Sequence, residues 1–451
     1  MPARLWAFPK RGMTMGNTIK LLCILGPLVL AADLIAGLVQ GKGTLAQRWG
    51  ALWSGEHWLV CDALSGVRQA LSTPLFCVLI VLWWGWGVVE QVCELFCPPH
   101  LLTVLTVARS LLIAGVVLAK ILGCTRYAYR DLLPAAVIFA YFVKLYSVCQ
   151  YPPVIRAVFL FLAAKDTKLV QDLWAMLASA LLAYGTTVGL ALAGFLDKMA
   201  TAENGRVRYA LGYGSYNSLG IATAELVILW LCLRYRKLRW WDLLIAAAGM
   251  AFIQIVPNSR GALMICAIVL VILLLGRLAP RLTQKRWMPW AAGAVALAPA
   301  LFTFGAVWMY DRWQDKGWMQ MLDRLFSGRV GFAWVQQYGF RPAFFGEKFG
   351  PLGESLLYRV DNAYVYYRFL CGPLMLLLFL AGSAWLCWRL ARRGGTDWAL
   401  LAVSIGYLGY AVMERMFYPN VFILLLCNVA YGRSQSLSLE KSPAQQPGPK
   451  E

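Results

Sequence analysis

The side chains best suited to chemistry in this chain are arginines set among hydrophobic stretches. Arg206 and Arg208 stand in Asn204-Gly-Arg-Val-Arg-Tyr-Ala-Leu-Gly-Tyr, just ahead of an apolar run opened by Asn217. In an extended segment, residues two apart share a face, so both guanidinium groups can grip one anion. Arg260, in Pro257-Asn-Ser-Arg-Gly, begins a helix just after a turn, with Asn258 or Ser259 able to cap it. Arg329, in Ser327-Gly-Arg-Val-Gly, also follows a capping residue and precedes a helical-looking run to Tyr338. Helix N-termini offer N–H groups and a positive dipole end, so an arginine there strengthens an anion site. Three such sites on one side of a membrane suit a pyrophosphate. The plainer reading has the same arginines reaching lipid phosphates or pairing with Asp323, Glu354 or Asp361.

Asp361-Asn-Ala-Tyr-Val-Tyr-Tyr-Arg opens a further apolar run and sets Asp361, Tyr364 and Arg368 near one helix face, with Tyr367 close by. Carboxylate, phenols and guanidinium together make a sugar-binding wall; the alternative is a helix start with a favourable Asp and an interfacial aromatic belt. Glu414 and Arg415, with Tyr418 and Asn420, sit between the last two apolar runs. Charges at membrane depth are functional candidates by default, although Glu414 and Arg415 can also satisfy each other. There is no Walker loop, no His-Glu-x-x-His and no Gly-x-Ser-x-Gly, so nucleotide hydrolysis is not indicated.

These residues must be held by membrane helices. The chain has 451 residues, 60% of them hydrophobic and 14% charged, with a mean hydropathy of +0.61, outside the range of ordinary soluble domains. A span takes about 20 apolar residues. Candidate spans fall near 19–40, 72–92, 100–119, 132–149, 154–164, 170–195, 217–233, 241–256, 261–276, 288–310, 363–388, 398–413 and 418–431. The first follows Arg4, Lys10, Arg11 and Lys20 and reads as a retained span rather than a cleaved signal peptide. The predicted fold class is all-α, a polytopic transmembrane helical bundle of twelve to fourteen spans with one large external loop containing short helices.

The net charge of +20 points to topology rather than to nucleic acid. Arg234, Arg236, Lys237 and Arg239, then Arg277, Arg281, Lys285 and Arg286, then Arg389, Arg392 and Arg393 form short-loop clusters that belong in the cytoplasm. Alternation then sends loops 196–216, 257–260 and 311–361, and the turn at Glu414, to the outside. Thirteen spans would strand the basic N-terminus outside; twelve or fourteen both repair the parity, and the Trp-containing stretch from Leu45 to Leu71 is either interfacial or another crossing. In the large loop, Trp318, Met321, Leu322, Leu325 and Phe326 keep a 3.6-residue period, which predicts a helix lying on the membrane or capping a cavity. Residues 1–130 form N-terminal spans, 131–433 the core, and 434–451 a disordered cytoplasmic tail. Twelve scattered cysteines and two histidines make no metal site, and no cofactor is expected.

The ordered set Arg-Tyr-Ala-Leu-Gly-Tyr-Gly-Ser-Tyr-Asn (208–217), Asn-Ser-Arg-Gly (258–261), Ser-Gly-Arg (327–329), Phe-Gly (345–346) and Asp-Asn-Ala-Tyr (361–364) resembles the Wzy-type polymerases of the O-antigen polymerase and ligase superfamily. The resemblance covers about residues 130–431. It implies a multi-pass protein of the bacterial cytoplasmic membrane. Its substrate would be an undecaprenyl-pyrophosphate-linked oligosaccharide, polymerised without a metal at the outer face. It also implies membrane lipids, a chain-length regulator and a flippase as partners. Carried over, Arg206 or Arg208, Arg260 and Arg329 hold the pyrophosphate while an acceptor hydroxyl attacks the anomeric carbon. The family's His-Pro-Asn is Ser215-Tyr216-Asn217 here, and the late external histidine of ligases is missing. The general base stays open among Asp361, Glu354, Glu347 and Glu414. A ligase-like glycan transferase and a non-enzymatic polysaccharide or lipid transporter are the competing readings.

Overall fold

Lipid offers no hydrogen-bond partners, so long apolar runs fold as helices that satisfy their own backbones; the structure is mostly helical, at 81%. This computed structural model describes residues 65–85, 99–127, 129–149, 159–198, 200–203, 206–326, 328–339, 343–346, 361–395 and 397–414, with 57–58, 425–426 and a few single positions. Several expectations lie outside the described residues: the first span 19–40, most of 45–64, and loop 347–360 with Glu347 and Glu354. So do Arg415, Tyr418, Asn420, most of the last span and the tail 434–451.

The helices are α1 (Ser65–Ile80, continued by a π-helical turn Val81–Gly85), α2 (Pro99–Leu118, continued by Ala119–Gly123), α3 (Tyr129–Cys149), α4 (Leu169–Leu192), α5 (Tyr216–Arg234), α6 (Trp240–Ile255) and α7 (Arg260–Leu278). They continue with α8 (Met288–Trp313), α9 (Gly317–Leu325), α10 (Arg329–Gly339), α11 (Ala363–Leu370), α12 (Gly372–Arg393) and α13 (Asp397–Tyr410). Two antiparallel pairs complete it: β1 (His57–Trp58) with β2 (Arg126–Tyr127), and β3 (Ala200–Glu203) with β4 (Arg206–Tyr209). Among the described residues six helices are long and apolar enough to cross a membrane, and two shorter apolar ones accompany them.

The core is organised around α13. Trp398, Leu400, Leu401, Val403, Tyr407 and Tyr410 are all buried, as expected of a helix apolar on every side. α7 and α12 pack on it, α8 packs along α12, and α5 joins α4, α6 and α7. Outward faces expose Leu111, Leu181, Leu182, Val271, Leu301 and Leu377, an apolar surface suited to lipid. Exposed tryptophans mark two levels: Trp240, Trp241, Trp287 and Trp290 at one end, Trp308, Trp313 and Trp318 at the other. α8 carries both, and at about 1.5 Å per residue Trp290 and Trp308 are roughly 27 Å apart, close to the ~30 Å of a hydrocarbon core.

The three basic clusters all fall at the Trp290 end, where α5, α7 and α12 finish. A second polar network ties α2 to α4: buried Lys120 Nζ donates to Thr125 Oγ1 at 2.6 Å and to the Lys165 carbonyl at 2.7 Å, and Thr167 donates to Asp172 Oδ2 at 2.7 Å.

One expected span is corrected. The run 363–388 is not a single helix but α11 and α12, broken at Gly372, whose φ is 84°. The Phe344 carbonyl lies where a Cβ on Gly372 would sit, so the Phe345-Gly346 segment wedges into the break. The amphipathic helix expected from Trp318 onward is α9. Its anchor is buried Met319, while Trp318, Met321 and Leu325 are exposed.

Candidate functional site

At the bundle end opposite the basic clusters, three residues distant in sequence meet. Arg329 Nη2 lies 3.6 Å from Asp361 Oδ2 and 3.6 Å from Glu414 Oε1. Its Nη1 reaches the Phe326 carbonyl at 3.5 Å, and its buried Nε has no acceptor among the described residues. Two carboxylates thus share one guanidinium nitrogen.

Each partner is fixed by its own element. Arg329 opens α10, whose first turn is capped by Asp323: Oδ1 accepts from the Val330 and Gly331 amides, each at 3.0 Å. That corrects the expectation of an open anion site at this helix start, since a carboxylate already occupies the N–H groups. Trp334 Nε1 donates to Asp311 Oδ1 at 2.8 Å and ties α10 to α8. Asp361 is placed by its neighbour Asn362, whose Oδ1 caps α11 by accepting from Tyr364 N at 3.0 Å and Val365 N at 3.1 Å. Its Nδ2 donates to Thr303 Oγ1 at 3.2 Å and the Val412 carbonyl at 3.0 Å, linking α8, α11 and the turn after α13. That turn carries Glu414, whose amide donates to the Tyr410 carbonyl at 3.1 Å. A narrow cleft lined by Thr303, Phe326, Asn362 and Val412 opens beside Arg329.

The other arginines lie at the start of α7 and on β4. Gly261 packs on Tyr410 and Met413, which brings the start of α7, and with it exposed Arg260, beside the Glu414 turn. Ser259 is the N-cap residue but does not cap. Its hydroxyl donates to Asn217 Oδ1 at 3.2 Å instead, and Asn258 turns the chain at φ 47°. The crossing of α5 and α7 here demands Gly220, because a Cβ would lie 2.5 Å from Ser259 Cβ. The β3–β4 hairpin docks through Tyr209 N on the Val256 carbonyl at 3.0 Å. Arg208 lies with its guanidinium 4.4 Å from the Tyr216 ring centre, its buried Nε unpaired among the described residues. Arg206 pairs by backbone with Glu203; its side chain lies outside the described residues.

Three expected contacts are not part of the site. Tyr364 and Tyr367 are core residues, and Tyr364 donates to the Leu408 carbonyl at 2.7 Å. Arg368 turns to the rings of Phe304 and Phe369, at 5.6 and 5.8 Å. α11 is wedged between α8, α12 and the end of α13, so its aromatic face is packed instead of forming a sugar-binding wall.

One participant escaped sequence reading. Glu225, in the middle of α5, accepts from Tyr407 Oη at 3.1 Å. Tyr410, one turn beyond Tyr407, is within electrostatic reach of Glu225, Glu414, Asp361 and Arg329, so polar groups continue from the Arg329 cluster into the bundle. Tyr213 stands beside Tyr184 with ring centres 6.2 Å apart. Burial, reinforced by Tyr184 and Glu225, raises its phenol above the ordinary range. A carboxylate inside an apolar run was the available signal for Glu225.

Among the described residues no three His, Cys, Asp or Glu side chains gather as a metal site would need. Compared with family models, with curated proteins and with solved structures, the chain matches none.

Proposed function

We propose that this chain is a membrane glycosyltransferase of the O-antigen polymerase type, joining undecaprenyl-pyrophosphate-linked repeat units at the outer face of the bacterial cytoplasmic membrane, within a bundle of twelve to fourteen spans. The observation that carries the reading is the Asp361–Arg329–Glu414 cluster: two carboxylates on one guanidinium nitrogen, at 3.6 Å each, with exposed Arg260 at the neighbouring helix start. In the reaction an acceptor sugar hydroxyl attacks the anomeric carbon of the donor. Its proton passes to Asp361 or Glu414, the bond from that carbon to the phosphate oxygen breaks, and the lipid pyrophosphate departs. Arg260 and Arg208, free of carboxylate partners among the described residues, meet the charge developing on the leaving group. Arg329 is engaged by carboxylates, so its role is to orient the two acids instead of gripping the pyrophosphate.

The test is a glycan ladder from cells expressing Asp361→Asn, Glu414→Gln or Arg260→Ala at wild-type membrane abundance. Loss of a catalytic base or an anion contact lowers the rate about 10²- to 10³-fold, so long chains disappear and single lipid-linked repeats accumulate. A wild-type ladder in all three variants sinks the reading. Glu225 within α5 favours one alternative, a transporter with an ionisable group at membrane depth. Lipid-linked chains of unchanged length on loss of the protein would select it.

A further inference from the structure

At the end of the bundle opposite the Arg329 cluster, the C-termini of α7 and α12 and the N-termini of α8 and α13 border an open cleft of about 790 Å³. That is the size of a whole small-molecule or headgroup site. Lys285, Arg286, Arg392 and Arg393 line it, together with Trp290 and Trp388. The acidic groups of this end do not neutralise the cations. Asp397 is engaged by Arg393 at 3.7 Å, and Asp242 by Arg234 at 3.4 Å, which leaves Lys285, Arg286 and Arg392 exposed and without a carboxylate among the described residues.

Two features make this more than a charged loop. The wall is rigid: Trp398 Nε1 donates to the Ile272 carbonyl at 2.7 Å, and the indole lies flush on Gly276, where any Cβ would overlap it. One donor is also waiting. Trp388 Nε1 is buried with no acceptor among the described residues, although an unsatisfied buried donor costs about 1–3 kcal/mol. The Arg392 guanidinium stands 5.1 Å from the Trp388 ring centre, so the cation and the indole ring share one wall of the cleft. Trp287 and Trp290, exposed beside the opening, sit at the level of the bilayer interface.

We propose that this cleft binds the phosphate headgroup of an anionic phospholipid from the cytoplasmic leaflet. The phosphate oxygens contact Arg286, Arg392 and Lys285, the Trp388 indole donates to the same group, and the glycerol backbone lies on Trp290. Basic pockets between membrane helices on this side recognise such headgroups through charge and hydrogen bonding together. The proposal rests on the membrane reading and is independent of the chemistry at the Arg329 cluster.

Native mass spectrometry of the purified full chain decides it, with phosphatidylglycerol, phosphatidylcholine and sodium pyrophosphate as probes. Phosphatidylglycerol adducts are expected at about tenfold higher affinity than phosphatidylcholine, and the double variant R286Q/R392Q to lose roughly 10- to 30-fold in phosphatidylglycerol affinity. R286K/R392K, which keeps the charge, retains most of it. Equal retention of both lipids, or unchanged phosphatidylglycerol binding in R286Q/R392Q, overturns the proposal. Pyrophosphate that binds and is not displaced by phosphatidylglycerol overturns the lipid source in favour of a soluble phosphate. Should R286Q/R392Q fail to fold, Trp388→Phe decides: a several-fold loss supports the site, and unchanged affinity overturns it.

Discussion

Asn362 touches no expected reacting atom, yet the geometry of the cluster depends on it. Its two side-chain atoms make four hydrogen bonds, two capping α11 and two reaching α8 and the turn before Glu414. Asn362→Leu removes the cap and orphans Thr303 and the Val412 carbonyl, a loss of about 2–4 kcal/mol. Thermal unfolding of the purified protein should fall accordingly, and an unshifted midpoint would show that Asp361 is held by something else. At this scale the sequence was informative about residue type and poor about partnership. Arg329, Asp361 and Glu414 stand out because charge beside apolar runs is expensive, and the plainer reading of Arg329 already pairs it with Asp323, Glu354 or Asp361. That Glu414 joins the same nitrogen could not be read locally, because it depends on α13 ending against α8. The Asp323 cap on α10 was likewise invisible: the residue lies seven and eight positions upstream of the amides it caps, and only the bend between α9 and α10 brings its carboxylate to Val330 and Gly331.

Helices were legible where the apolar period ran uninterrupted. α6, α7 and α8 begin within one residue of the expected spans, since basic loops or the Pro257-Asn258 turn bound them. The failure was at 363–388, where hydrophobicity continues through a break set by backbone geometry. Gly372 at φ 84° with the Phe344 carbonyl against it ends α11 and frees it to tuck its tyrosines inward. An alanine there meets both a left-handed backbone and a clash, so Gly372→Ala should destabilise by about 1–3 kcal/mol. It should also disturb the placement of Asp361, one short helix away. Limited proteolysis and the melting temperature check this together; wild-type behaviour in both would mean that α11 and α12 can join as one straight helix without penalty. The β3–β4 hairpin agreed with the extended reading of Arg206 and Arg208, because alternation along a strand is a local property that tertiary contacts did not override.

Across the whole molecule the three short-loop basic clusters share one end. The basic short-loop clusters gather where α5, α7 and α12 finish, and the acid–arginine cluster lies at the other end, where α7, α10 and α11 start. This sorting was foreseen from lysine and arginine positions alone. The cleft at the basic end was not, because its walls come from four helix termini that only packing assembles.

The tryptophans of α8 carry one more implication. Exposed Trp290 and Trp308 stand on the same helical rod, with Pro299 between them, separated by roughly the thickness of an ordinary hydrocarbon layer. Such a rod behaves as a gauge: in a membrane several ångströms thinner, α8 must lean over to keep both indoles at the headgroups. Leaning moves Thr303 relative to the turn that bears Glu414, and Asn362 bridges the two. Reconstitution into phosphatidylcholine bilayers of graded acyl length should therefore give a stability maximum near chains of common length and a decline on either side, measured by thermal unfolding. A flat profile would mean that α8 rides freely, and that membrane thickness does not reach the paired acids.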